Sequence, residues 1–175
     1  MSLLWVFAFY GAERCFELWL SRRNREALVA RGGREYSPES FASMAWLHTL
    51  FFVALLLESH PWRVPFDRLT LCSLVALTAL MVLRYWCIAS LGVFWNTRIV
   101  VLPGARVVRR GPYRFLKHPN YLVVTLELAL LPLLMRAPLT LLFFSLANLV
   151  VLRRRIRLEE QALQEHTDYR QAFER

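Results

Sequence analysis

Residues 69–91 read LTLCSLVALTALMVLRYWCIASL, with Arg84 as the single charge. An α-helix rises about 1.5 Å per residue, so roughly 20 apolar residues cross the hydrocarbon core of a bilayer. This run is long enough. Working outward from it, further apolar windows lie at 3–20, 41–57, 121–135 and 138–152. The last two are short, so 121–152 reads either as two paired spans or as one tight helical hairpin. With 57% hydrophobic residues and a mean hydropathy of +0.35, the composition excludes an ordinary soluble fold. The expectation is an all-α integral membrane protein of about five transmembrane helices. Residues 1–175 would form a single domain, with three spans in 1–92 and a loop, helical hairpin and C-terminal helix in 93–175. The first window does not read as a signal peptide, because no basic residue precedes it and Glu13, Arg14 and Glu17 interrupt it.

The net charge of +9 could suggest nucleic acid, but its distribution argues for a membrane. Five arginines lie in 21–35, five arginines and a lysine in 93–120, and six arginines beyond Leu152. The other connections hold only Arg63, Arg68 and Arg136. That alternation follows the positive-inside rule for five spans with the N-terminus outside and the C-terminus in the cytosol, as in a bacterial inner membrane. Anionic lipid would attract the same loops. Cys15, Cys72 and Cys87 fall inside apolar windows without CxxC spacing and read as small core residues. No HExxH occurs, and no metal site is expected.

In RIVVLPGARVV (98–108), two β-branched runs flank Pro103-Gly104, a pair suited to the middle of a type II turn. A small cytosolic β-hairpin is expected there. The first helix should extend past its span and break at Gly32-Gly33. The fifth should continue into the cytosol, because 153–175 is rich in helix formers. Charges inside spans are expensive. Glu13, Glu17, Arg84 and Glu127 therefore read either as helix-to-helix pairs or, for Glu127, as the wall of a substrate or cofactor cavity.

The densest polar chemistry is VVRRGPYRFLKHPNYLVV (107–124). His118-Pro119-Asn120-Tyr121 reads as a helix start, with proline at the first position and free amides that favour negative charge. His118 and Tyr121, three apart, project from one side of that turn. In RRRIRLEEQAL (153–163), Arg155 and Glu159 are four apart on one face. Taken alone, each cluster is equally an ordinary basic loop or a solvated, salt-bridged face.

Together they resemble a family. RRGPYRFLKHPNYL, a following helical hairpin, RxxxEExxL (155–163) and DYRQAF (168–173) are similar to the C-terminal half of isoprenylcysteine carboxyl methyltransferases. This chain departs from the family pattern at Lys117, where arginine is usual, at Val123, where glycine is usual, and at Phe173, where tyrosine is common. The longer run 83–127 resembles a bacterial branch of membrane O-methyltransferases that accompany type III polyketide synthases and methylate alkylpyrones or alkylresorcinols. The resemblance implies S-adenosylmethionine bound without a Rossmann domain, and no GxGxxG occurs among the six glycines. It further implies cofactor contacts from Gly111, Tyr113, His118, Pro119 and Tyr121, with Glu160 or Glu159 closing the far side. Arg155 would sit near the acceptor oxygen. A weakly acidic acceptor would want a base, for which His118, Glu127 and Glu159 are candidates.

The implied partners are a lipophilic small-molecule acceptor and membrane lipid, with no nucleic acid and no metal. Carboxyl methylation of a prenylated cysteine is the nearest alternative. A membrane sterol or enone reductase binding NADPH is a second, although HPNY here lacks the Gly-Glu that follows it in that group. A non-catalytic scaffold or transporter subunit is a third. Tyr36, Trp46, His48, Trp86, Trp95 and Asn96 read either as bilayer anchors or as pocket residues.

Overall fold

The computed structural model describes residues 1–173. It is built from five long helices and one short one: α1 (Leu4–Val29), α2 (Pro38–Glu58), α3 (Arg68–Leu91), α4 (Pro119–Met135), α5 (Pro138–His166) and α6 (Tyr169–Phe173). Their boundaries follow local chemistry. Proline opens α2, α4 and α5, where a missing N–H loses no bond. Asp67 caps α3 by accepting from the Thr70 amide at 2.9 Å. After α1 the chain turns at Gly32 (φ 92°), and α3 stops at Gly92 (φ 57°).

Helix α3 packs on α4, α4 on α5, and α5 on α2. Phe51, Leu55, Leu128, Leu131 and Leu134 fill the interior between them. The outer faces are equally apolar: Trp19, Trp46, Leu57, Val75, Val82 and Phe143 are all exposed. Water would not tolerate such a surface, whereas lipid does. Two helices, Pro38–Glu58 and Arg68–Phe94, are long and apolar enough to cross a membrane, and α4 is a shorter apolar helix of 17 residues. The windows at 3–20 and 138–152 lie inside α1 and α5, which run to 26 and 29 residues and carry charges.

Those charges meet in the interior. Arg84, 1% exposed, donates to Glu17 and to both oxygens of Glu127. Arg14 donates to Glu17 at 2.8 Å and to Glu127 at 3.4 Å. Two guanidinium groups thus face two carboxylates, and the cluster ties α1, α3 and α4 together.

Two expectations are corrected. The Pro103-Gly104 turn forms, with the Ala105 amide donating to Leu102 O at 3.1 Å and Gly104 at φ 74°. It closes no hairpin, however. Its first arm is β2 (Ile99–Val101), which pairs antiparallel with β1 (Arg34–Tyr36), placing Arg34 opposite Val101. Glu35 of β1 accepts from Arg98 at 2.6 Å and from Arg25 at 3.1 Å, so the ribbon is also an ionic clasp. Of the three cysteines only Cys87 is buried. Cys15 and Cys72 sit on exposed helix faces, where a small apolar thiol is at home in lipid.

Candidate active site

The residues before α4 form a short 3-10 turn, Gly111–Arg114. Gly111 adopts φ 57°, and a Cβ there would lie 2.0 Å from Ser90 Oγ, so only glycine lets this loop press against α3. Next, His118 occupies the N-cap position of α4 and Pro119 the first helical position. The three-residue spacing brings the His118 and Tyr121 rings into a stack, with centroids 5.4 Å apart.

The far end of α5 supplies the opposite wall. His118 Nε2 lies 3.0 Å from Glu160 Oε1, and Tyr169 donates to the same oxygen at 2.9 Å. Burial pushes the Glu160 carboxyl up, but the hydrogen bonds from His118 and Tyr169 outweigh it and hold the group below its ordinary value. The Tyr121 hydroxyl donates to Glu159 and accepts from Arg155 Nε at 2.9 Å. Arg155 also donates to Ser40 Oγ at 3.0 Å and to Thr97 O at 2.6 Å. One guanidinium therefore joins α5, α4, α2 and the segment after α3.

Two cavities adjoin this cluster. The smaller, about 130 Å³, is lined by aliphatic residues such as Ile99, Val101 and Leu163 together with Tyr113, His118, Tyr121 and Glu159. Helix α6 covers it. Asp168 accepts from the Val107 amide at 2.7 Å, Arg109 donates to Ala172 O at 2.5 Å, and the Lys117 ammonium lies 5.7 Å from the Tyr169 and Phe173 rings. The larger cavity, about 580 Å³, opens between α1 and α2, with Phe7, Met44, Phe52 and Leu56 in its walls and Arg155 also lining it. Trp95, Asn96, Asn120 and Tyr121 line both, so the two cavities share one wall.

Not every residue singled out from sequence reaches a cavity. Tyr113, His118, Tyr121 and Glu159 line the smaller one, and Arg155 the larger. Glu160 stands behind His118. Gly111 and Pro119 shape the backbone. Glu127 is held in the ion cluster with Arg84 and Arg14, on neither cavity wall. Burial beside the Cys87 thiol pushes the Tyr113 phenol far above its ordinary value, so it stays neutral.

The structure also recruits residues that motif reading passed over. Asn24 Nδ2 donates to Trp95 O at 2.7 Å and to Gly92 O at 3.2 Å, and Ser21 Oγ bonds Asn96 and Thr97. Only their polarity near the end of an apolar helix hinted at a partner.

Residues 71–165 match the isoprenylcysteine carboxyl methyltransferase family. The chain is 37% identical over 155 residues to the uncharacterized protein YpbQ of Bacillus subtilis, covering 89% of this chain and 92% of that one. It is 28% identical over 159 residues to an uncharacterized protein of Haemophilus influenzae, covering 90% and 92%. No solved structure matches. The family match spans more than half of the sequence; it falls on α3, α4, most of α5 and the loops of the smaller cavity, and leaves out α1 and α2, which wall the larger one. The chain belongs to the isoprenylcysteine carboxyl methyltransferase family, a family of membrane methyltransferases.

Proposed function

We propose that this protein is an S-adenosylmethionine-dependent O-methyltransferase acting on a lipophilic acceptor, the hydroxyl of an alkylpyrone or alkylresorcinol. The observation that carries the reading is the pair of cavities of unlike chemistry sharing the wall at Tyr121. A space against the loops that carries His118, Tyr121 and Glu159 among its aliphatic walls suits a cofactor arriving from the cytosol. An apolar space between α1 and α2 suits an acyl tail entering sideways from lipid. The reading carries five spans with the N-terminus outside and the cofactor site cytosolic.

The cofactor supplies an electrophilic methyl group on a sulfonium. The residues around the smaller cavity fit such a cation: Glu159 offers a carboxylate, and the stacked His118 and Tyr121 offer aromatic faces. Small-molecule sites run from roughly 300 Å³ upward, so this cavity as it stands holds only part of the cofactor. Arg155 reaches only neutral oxygens, which leaves its charge free to hold an ionised acceptor. A 4-hydroxypyrone enol or a carboxylic acid has already given its proton to water at neutral pH, whereas a resorcinol phenol would pass its proton to a base, for which His118 and Glu159 are the candidates on the cavity wall. Arg155 would hold the acceptor oxygen, and Glu159 with the His118 and Tyr121 rings would hold the sulfonium, so that the methyl group lies between them. Positioning is the main demand on the protein.

Carboxyl methylation of a prenylated cysteine uses the same site and the same anion, and the family match supports it equally. Equilibrium binding of S-adenosylhomocysteine and of NADPH to detergent-purified protein tests the class. Micromolar binding of the former alone is expected, with methylation of acyl-pyrone, alkylresorcinol or prenylcysteine then identifying the acceptor. Binding of NADPH alone would assign a reductase instead.

A further inference from the structure

The shared wall holds buried polar atoms that no protein group satisfies: Trp95 Nε1, Asn96 Nδ2 and Asn120 Oδ1. Buried donors are almost always paired in folded proteins. Trp95 is 2% exposed, and an indole nitrogen can only donate. The Asn96 amide is oriented as well. Its Oδ1 accepts from Ser21 Oγ at 3.0 Å, which turns Nδ2 away from α1. The backbone is pinned alongside, with the Thr97 amide on Ser21 Oγ at 3.0 Å and Trp95 O on Asn24. Two consecutive residues are thus clamped with a free N–H each, on a surface that both cavities touch and that Arg155 reaches through Thr97 O.

We infer that Trp95 and Asn96 clamp the acceptor headgroup, their two N–H groups holding the reacting oxygen as an anion beside Arg155. This deepens the methyltransferase reading and rests on it. The wall also offers one unpaired acceptor, Asn120 Oδ1, but the positive charge of Arg155, whose partners are all neutral, favours an ionised oxygen over a neutral hydroxyl there. The acceptor class is therefore an amphiphile whose reacting oxygen carries charge at working pH: an enolate, a phenolate or a carboxylate.

The test uses full-length protein and three probes: a long-chain 4-hydroxy-2-pyrone, a pentadecylresorcinol and a farnesylated N-acetylcysteine. Trp95→Phe keeps the ring and removes the donor. Asn96→Asp keeps the acceptor for Ser21 and replaces the donor with a like charge. Trp95→Phe should lower kcat/KM about tenfold for the methylated probe, since hydrogen bonds to charged groups are worth roughly that much or more. Asn96→Asp should lower it at least a hundredfold. Both should bind S-adenosylhomocysteine within twofold of the parent and melt at a similar temperature. If Asn96→Asp does not fold, Trp95→Phe alone decides. Loss of S-adenosylhomocysteine affinity with an unchanged acceptor KM would put the donors on the cofactor side and overturn the inference, as would two variants indistinguishable from the parent. A parent that binds S-adenosylhomocysteine yet methylates none of the probes would overturn the headgroup assignment alone. A parent that binds no S-adenosylhomocysteine would overturn the methyltransferase reading, and this inference with it.

Discussion

Arg84 and Arg155 are both buried arginines, 1% and 4% exposed, yet they sit in opposite electrostatic situations. Arg84 meets two carboxylates, Glu17 and Glu127, and with Arg14 makes a cluster of two positive and two negative groups. Arg155 meets a phenol, a serine hydroxyl and a backbone carbonyl, all neutral, although both arginines line the larger cavity. A buried charge is tolerated only when something answers it. The first arginine is answered by the protein, and its work is structural. The second is answered in part, and its remaining capacity faces the space where an acceptor would lie.

That contrast breaks down most visibly if Arg84 is dispensable. Arg84→Met should destabilise the protein by about 3–5 kcal/mol in denaturant or thermal unfolding, because Glu17 and Glu127 would be left buried without their main partner. Replacing Arg14, Glu17, Arg84 and Glu127 together with apolar residues of similar volume should recover most of that loss. A silent Arg84→Met would erase the structural half of the comparison. Arg155→Met should leave unfolding within about 1 kcal/mol, as water entering the cavity takes the guanidinium's place as donor to Tyr121, Ser40 and Thr97. It should lower kcat by about a hundred- to a thousandfold, the magnitude expected for losing a group that stabilises reacting charge. Unchanged turnover would move the acceptor site elsewhere.

Smaller effects sharpen the picture around the smaller cavity. Glu160→Gln should weaken S-adenosylhomocysteine binding about tenfold in calorimetry, by loosening His118 and Tyr169. Because the native Glu160 carboxyl sits below its ordinary 4.5, its contribution to stability is complete above that pH. The contribution is lost as the pH falls through the lowered native value, so an acid melt of Glu160→Gln should be flatter than the parent's. Glu35→Gln, in the half-exposed clasp with Arg25 and Arg98, should shift unfolding by less than about 1 kcal/mol and leave methyl transfer unchanged.

Local features were legible from sequence, and distant pairings were not. The helix start at Pro119, the projection of His118 and Tyr121 from one side of it, the break at Gly32 and the turn at Pro103-Gly104 all depend on neighbours within four residues. The strand at Ile99–Val101 needed a partner, and β-branched residues on both sides of the turn suggested the wrong one. Its true partner, Arg34–Tyr36, lies more than sixty residues earlier and advertises itself only by Glu35. Arg84, Glu17 and Glu127 stood out as charges in apolar windows, but no spacing rule links three helices. Trp95 and Asn96 were ambiguous for a different reason. An aromatic near a membrane surface anchors in lipid as readily as it lines a pocket, and only the bonds from Asn24 and Ser21 separate the two.

Under the proposed five-span reading, the brevity of α4 has a consequence for the lipid itself. Seventeen residues rise only about 25 Å, while the hydrocarbon slab is about 30 Å thick. The helix and a relaxed bilayer therefore differ in reach by about one helical turn. Such hydrophobic mismatch is relieved by local thinning or by drawing one helix end inward. Since α4 opens with His118 and Tyr121, either response shortens the path between a headgroup-anchored amphiphile and those residues. Bilayer thickness would then become a rate-determining variable, and turnover in vesicles should rise as acyl chains are shortened.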